Sequence, residues 1–133
     1  AGDLVLRALA QQLLKSSRNY DVVARYGGEE FAILLPATSR EQSIECAERQ
    51  RKSLESFCWP LRGITASFGV ATIGSTTKDP LKLVEEADRA LYHSKRQGRN
   101  RVTHFQVLRP IGASVDEAEK TRSISTLSMV TDT

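Results

Sequence analysis

Apolar positions along the chain fall into helical and strand periods. From Asp3 to Ser16, the residues Leu4, Val5, Ala8, Leu9 and Leu13 recur at three- and four-residue intervals, with Gln12 as a polar break. That stripe predicts an amphipathic helix. Val22-Val23-Ala24-Arg25-Tyr26 and Phe31-Ala32-Ile33-Leu34-Leu35 read as short strands, the second closed by Pro36. Between them stands Gly27-Gly28-Glu29-Glu30; paired glycines accept positive φ, so a hairpin over 22–35 is predicted. Ser39, with Gln42 three residues on, opens a second helix as a capping box. Its apolar face is Ile44, Ala47, Leu54 and Phe57, and Trp59-Pro60 ends it. Ile64 to Ile73 is the next strand, with Gly69 as a bulge or point of close approach. Asp79-Pro80 then starts a third helix that faces Leu83, Val84, Ala87, Ala90 and Leu91 inward and stops at Gly98. Arg101 to Phe105 is a last short strand. The order α-β-β-α-β-α-β predicts an α+β fold, an antiparallel-containing sheet flanked by helices.

Residues 106–133 break this pattern. They hold no aromatic residue and eight Ser or Thr, and they are expected to form a flexible tail with one helical turn near Asp116–Thr121. A docking or modification role is the alternative to plain disorder. The expected organisation is one domain over 1–105 and the tail over 106–133. A net charge of +3 and a pI near 9.1 suit a phosphate-bearing ligand. Basic residues do not run together with interleaved aromatics, so a nucleic-acid surface is not expected. No stretch is apolar enough to span a bilayer, and no signal peptide is present, so a cytoplasmic location is expected. Cys46 and Cys58 form no C-x-x-C or zinc pattern and read as reduced, partly buried thiols. His93 and His104 have no partner at ligand spacing and read as surface or edge residues.

Chemistry concentrates at the hairpin turn. Gly27 and Gly28 lack side chains, so a phosphate can come close to the backbone there. Glu29 and Glu30 are hard oxygen donors, suited to Mg²⁺ carrying a nucleotide. On the glycine pair alone, a hairpin with a solvated acidic tip is the favoured reading.

Further support comes from motifs in sequence order. Gly27-Gly28-Glu29-Glu30-Phe31 is followed by Ser67-Phe68-Gly69-Val70-Ala71. Next come Ala87-Asp88-Arg89-Ala90-Leu91-Tyr92-His93-Ser94-Lys95 and Gly98-Arg99-Asn100-Arg101-Val102, and Gly2-Asp3 precedes them all. Together these segments resemble the GGDEF family of diguanylate cyclases over residues 2 to about 105, in the Glu variant of the signature. Ser94 departs from the family's alanine. The resemblance implies a nucleotidyl-cyclase-like sheet, ferredoxin-like and related to polymerase palms. It also implies an upstream stretch that carries the first, central strand, an aspartate metal ligand and an asparagine that grips guanine. This chain has no such stretch before Gly2-Asp3. A sheet without its middle strand leaves two unpaired edges. The expectation is therefore a fragment of a longer protein, or a gap filled by another copy.

By resemblance, the parent protein joins two GTP molecules into cyclic di-GMP with loss of pyrophosphate, each held by one domain of a homodimer, with Mg²⁺ or Mn²⁺ as cofactor; the isolated 133-residue chain, without the upstream strand and its aspartate, is not expected to be a competent catalyst. Glu29 is then a metal ligand and the base for the 3′-hydroxyl, and Glu30 a second metal partner. Gly27 and Gly28 admit the triphosphate, Asp3 accepts from the guanine edge, and Lys95 and Arg99 contact phosphate. Each has a plainer role: Asp3 suits a helix N-terminus, and Lys95 and Arg99 suit a helix C-terminus. Arg18-Asn19-Tyr20-Asp21 resembles the family's R-x-x-D inhibitory site for cyclic di-GMP, with Arg49 on helix two as a further contact or an ordinary exposed arginine. There Arg18 would offer its fork to phosphate or guanine, and Asp21 would accept from guanine N–H groups. An upstream sensory or receiver domain is the expected partner. The alternatives are a non-catalytic cyclic di-GMP receptor and a GTP-binding regulatory domain.

Overall fold

The computed structural model describes residues 3–59, 63–73, 79–108 and 123–132. Helix α1 spans Asp3–Lys15, followed by strands β1 (Val22–Gly27) and β2 (Glu30–Leu35), and then helix α2 (Arg40–Ser56). Strand β3 (Thr65–Ile73), helix α3 (Pro80–Arg96) and strand β4 (Val102–His104) come next, then a single 3-10 turn over Phe105–Leu108. All of these follow the predicted order. Ser39 caps α2 with its side chain on the Gln42 amide, and the Gln42 side chain returns to the Ser39 amide, the reciprocal box read from the sequence. Asp79 caps α3 by accepting from the Leu81 amide.

The departure lies at the end of the chain. Residues Ile124–Asp132 form a ninth element, strand β5, and the sheet order is β1-β2-β5-β3-β4. The expected flexible tail over 106–133 is thus corrected for 124–132; the expected turn near 116–121 lies outside the described residues. β5 runs antiparallel to both neighbours, pairing Glu30 with Val130 and Leu35 with Ser125 on one side, and Thr65 with Asp132 and Ile73 with Ile124 on the other. The gap expected between the hairpin and β3 is closed by the chain itself, not by a second copy. Serines and threonines do not prevent this, because every second residue of β5 meets one face. Leu127 and Met129 are fully buried on the face toward α1 and α2, opposite Ile33 and Phe31.

Helices α1 and α2 cover that face with Leu9, Leu13, Ala47 and Leu54, and α3 covers the other through Leu83 and Ala87. Gly69 is the close-approach point: a Cβ there would overlap the Ala87 carbonyl and the Leu91 backbone, so α3 lies directly on β3. On α2 the buried positions include Cys46 and Gln50 as well as Ala47 and Leu54, a stripe turned slightly from the predicted one. Among the described residues no helix is long and apolar enough to cross a membrane.

Two minor expectations change. Cys46 is buried but Cys58 is exposed. His104 lies on edge strand β4 yet is 4% exposed, because the 3-10 turn folds back over it and the Gln106 amide donates to its Nδ1. Burial first, with the Arg40 charge adding to it, pushes the His104 pKa down to about 4. With Nδ1 accepting, the proton sits on Nε2, which donates to Thr72 Oγ1 at 3.0 Å.

Candidate functional site

The acidic turn is built by local rules. β1 and β2 pair from Val22 with Leu34 down to Gly27 with Glu30, with a register shift between Arg25 and Gly27. Gly28 turns the chain at φ 52°, a conformation that suits glycine, and Arg25 Nε donates to the Gly28 carbonyl at 2.8 Å. Glu29 and Glu30 stand at this tip, both partly exposed. Among the described residues no group of three or more His, Cys, Asp or Glu side chains gathers. A carboxylate pair fits a cation of the Mg²⁺ kind, which keeps several waters and takes phosphate oxygens from its nucleotide. Asp3 is the first residue of α1, and its side chain lies outside the described set.

β5 brings a second cluster to the same end of the sheet. Val130 pairs with Glu30, and Asp132 follows two residues on. The Asp132 carboxylate accepts from Thr65 Oγ1 at 2.9 Å, Ser67 Oγ at 2.7 Å and the Asn100 amide at 2.9 Å, and lies 3.6 Å from Arg99 Nη1. Arg99 sits just past α3, which Gly98 ends at φ 119°, with the Arg99 amide on the Ser94 carbonyl at 3.0 Å. Lys95 lies in the last turn of α3, partly buried. So Glu30 and Arg99 are neighbours of one strand end, though 69 positions separate them in the sequence. Asp132, Ser67 and Asn100 were not singled out from the sequence. The signal that was available is the strand-favouring content of Ile124 to Asp132, where Ile124, Thr126, Val130 and Thr131 are β-branched, masked by its hydroxyls. Ser94, the departure from the family pattern, has a role of its own: buried on α3, it donates to the Phe68 carbonyl at 2.7 Å and shares a 2.7 Å hydroxyl–hydroxyl bond with Thr103 Oγ1, fastening α3 to β3 and β4.

Arg18, Asp21 and Arg49 are brought together around the loop after α1. Arg18 forks onto Asp21, with Nε 3.1 Å from both carboxylate oxygens and Nη2 2.9 Å from Oδ1, and Nη2 also donates to Thr38 Oγ1 at 2.6 Å. The guanidinium carbon lies 4.6 Å from the Tyr20 ring centre. The Asp21 hydrogen bond, ahead of the opposing cost of burial, raises the Arg18 pKa. Arg49, exposed on α2, reaches the Ser16 carbonyl at 3.4 Å. The Asp21 side chain is 1% exposed, and in this arrangement its oxygens serve Arg18.

The family model for diguanylate cyclase GGDEF domains matches residues 1–101. A curated relative, diguanylate cyclase A of Treponema denticola, is 44% identical over 107 residues, covering 77% of this chain and 29% of that protein. The solved GGDEF domain of DgcB from Caulobacter crescentus, in complex with c-di-GMP, superposes with a TM-score of 0.72 at 34% identity, covering 78% of this chain and 64% of that one. The active GGEEF domain of a Vibrio cholerae diguanylate cyclase gives 0.71 at 31% identity, covering 77% and 67%. The chain therefore spans under a third of the curated relative's length.

Proposed function

The chain belongs to the GGDEF family of diguanylate cyclase domains, and from that membership we propose that it binds GTP and joins two GTP molecules into cyclic di-GMP, releasing two pyrophosphates. The observation that carries this reading is the closed sheet, which puts the intact Gly27-Gly28-Glu29-Glu30 turn and Arg99 at one strand end. In each step a 3′-oxygen of one GTP forms a bond to the α-phosphorus of the other, the bond to the pyrophosphate oxygen breaks, and Glu29 accepts the hydroxyl proton. Gly27 and Gly28 leave room for the triphosphate, and Lys95 and Arg99 balance its charge. Asp3 accepts from the guanine edge. A divalent cation held by Glu29 and Glu30, Mg²⁺ or Mn²⁺, would neutralise the leaving pyrophosphate. Because each domain holds one substrate, two copies must face each other, and an upstream sensory or receiver domain in the same protein would control that encounter. All of this chemistry suits a cytoplasmic protein with access to GTP.

Arg18 and Arg49 support a second role at the same time. Two guanidinium groups border one loop, Arg18 held rigid by Asp21. Such a pair suits the phosphates and guanine O6/N7 edges of cyclic di-GMP, acting as product feedback in an enzyme or as the sole function of a receptor.

Product analysis of the chain with GTP and Mg²⁺, beside a Glu29→Ala variant, tests the first role. Cyclic di-GMP that vanishes in the variant is the expected result. GTP turnover without cyclic di-GMP, or product that persists in the variant, would sink it. Calorimetry with cyclic di-GMP on wild type and Arg18→Ala tests the second, which fails on unchanged affinity.

A further inference from the structure

We propose that Asp132, on the strand that closes the sheet, is a positioning residue for Arg99, holding it where a nucleotide phosphate binds; the proposal rests on the reading of the site given above. The turn after α3 is one the chain would not adopt unaided. Arg99 and Asn100 both lie in the left-handed region, at φ 63° and 47°, directly after Gly98 at 119°. An arginine there is disfavoured by its Cβ, so the turn persists because its surroundings fix it. Asp132 supplies the central fixture. Its carboxylate, 7% exposed, takes the Asn100 amide at 2.9 Å, and the Ser67 and Thr65 hydroxyls aim the carboxylate from β3. Helix α2 holds the other side: Arg51 Nη1 donates to Asn100 Oδ1 at 3.0 Å, and Asn100 Nδ2 donates to Glu55.

The alternative is that Asp132 occupies Arg99 and competes with phosphate. Geometry speaks against it. The Arg99 guanidinium comes no nearer to Asp132 than 3.6 Å, longer than a hydrogen bond, while the carboxylate already accepts from three nearer donors. Arg99 stays 52% exposed, and among the described residues its guanidinium makes no hydrogen bond, so its N–H donors can meet a ligand. Asp132 therefore directs the arginine without spending it. The strand end also supplies the right neighbour, since Glu30 pairs two residues before Asp132.

The test is calorimetric binding of α,β-methylene GTP with Mg²⁺ to the full chain. Wild type, Asp132→Asn, Arg99→Ala and the double variant are compared, with the Asn100 amide followed by ¹⁵N NMR. Asp132→Asn is expected to weaken binding about tenfold, roughly the loss of one well-aimed charged contact. The double variant should bind no more weakly than Arg99→Ala alone, because Asp132 acts through Arg99. A general structural role would instead give losses that add. Affinity that is unchanged or tighter in Asp132→Asn, or additive losses, overturns the proposal. Should Asp132→Asn fail to fold, Thr65→Val removes one of the hydroxyls that aim the carboxylate and is expected to shift affinity the same way by less; no shift there overturns the proposal too. A wild-type chain that binds no analogue removes the reading of the site and the proposal with it, and is recognised before any variant is measured.

Discussion

Two Arg–Asp pairs mark the two candidate sites, and they are held in opposite ways. Arg18 and Asp21 are three residues apart, forked at 2.9–3.1 Å, with the carboxylate 1% exposed. The loop after α1 is short enough that the backbone itself delivers one side chain to the other, and the Arg18 amide adds a 2.9 Å bond to the same carboxylate. Arg99 and Asp132 are 33 residues apart and meet at 3.6 Å because β5 docks between β2 and β3. A local pair survives as long as its loop does. A long-range pair is as stable as the strand that brings it, so the candidate phosphate end depends on the packing of the whole sheet, whereas the candidate product loop does not.

The largest expected effect breaks the long-range side. Leu127 is fully buried in β5 between Ile33 and Val70. Leu127→Ala should cost about 3 kcal/mol, within the usual range for deleting buried methyl groups, read from urea unfolding. Hydrogen exchange at the Asn100 amide should accelerate while the Asp21 amide, bonded to the Arg18 carbonyl at 3.0 Å, keeps its protection. Equal acceleration at both amides would erase the contrast.

Acid loosens the other end of β5. His104 Nε2 donates to Thr72 Oγ1, which in turn bonds Ser125 Oγ at 2.8 Å, and Ser125 donates to the Thr38 carbonyl. The folded pKa near 4 lies below the ordinary histidine value of 6.5, so protons favour the unfolded chain. The stability contribution is complete above about pH 6.5 and is lost as pH falls toward 4, by roughly 3 kcal/mol in all. His104→Gln should flatten that part of the stability–pH curve; an unaltered curve would show that His104 is not the group responsible.

Asp21→Ala acts on the local side. Losing the fork to a partly buried arginine should cost about 2 kcal/mol in thermal or urea unfolding, with binding of a GTP analogue unaffected. A matching loss of GTP affinity would mean that the two sites are not separate. The smallest effect comes from Ser39→Ala, which removes the capping box of α2 that begins right after Thr38. About 1 kcal/mol is expected, and it should weaken the Arg18 loop more than the Arg99 turn.

Much of the molecule was legible from periodicity and turn chemistry. The 3.6-residue stripes of α3 and of α1, save for Leu4, which is 75% exposed, the Ser39 box and the Gly69 contact follow the expected pattern, whereas the hairpin turns one residue later than its glycine pair, at Gly28 and Glu29, with Gly27 still in β1. His104 and Cys58 were misjudged because exposure is decided by what folds over a residue, not by its spacing. β5 was missed for a physical reason too. Ser125, Thr126 and Ser128 are hydroxyl residues that signal solvent when nothing satisfies them. Here Ser125 bonds Thr38, Thr126 bonds the Ile33 carbonyl at 3.3 Å and Ser128 bonds Asp88 at 2.9 Å. Those partners lie on other elements, so no window along the chain reveals that burial is affordable.

By itself the sequence determined the helices and the acidic hairpin, because each is closed by bonds a few residues long. The tertiary structure decided what fills the centre of the sheet, and with it the meeting of Glu30, Arg99 and Asp132 at one strand end. Strand pairing in a sheet has no fixed sequence separation; it is set by which edge is open and which segment can satisfy it, and both are properties of the assembled fold.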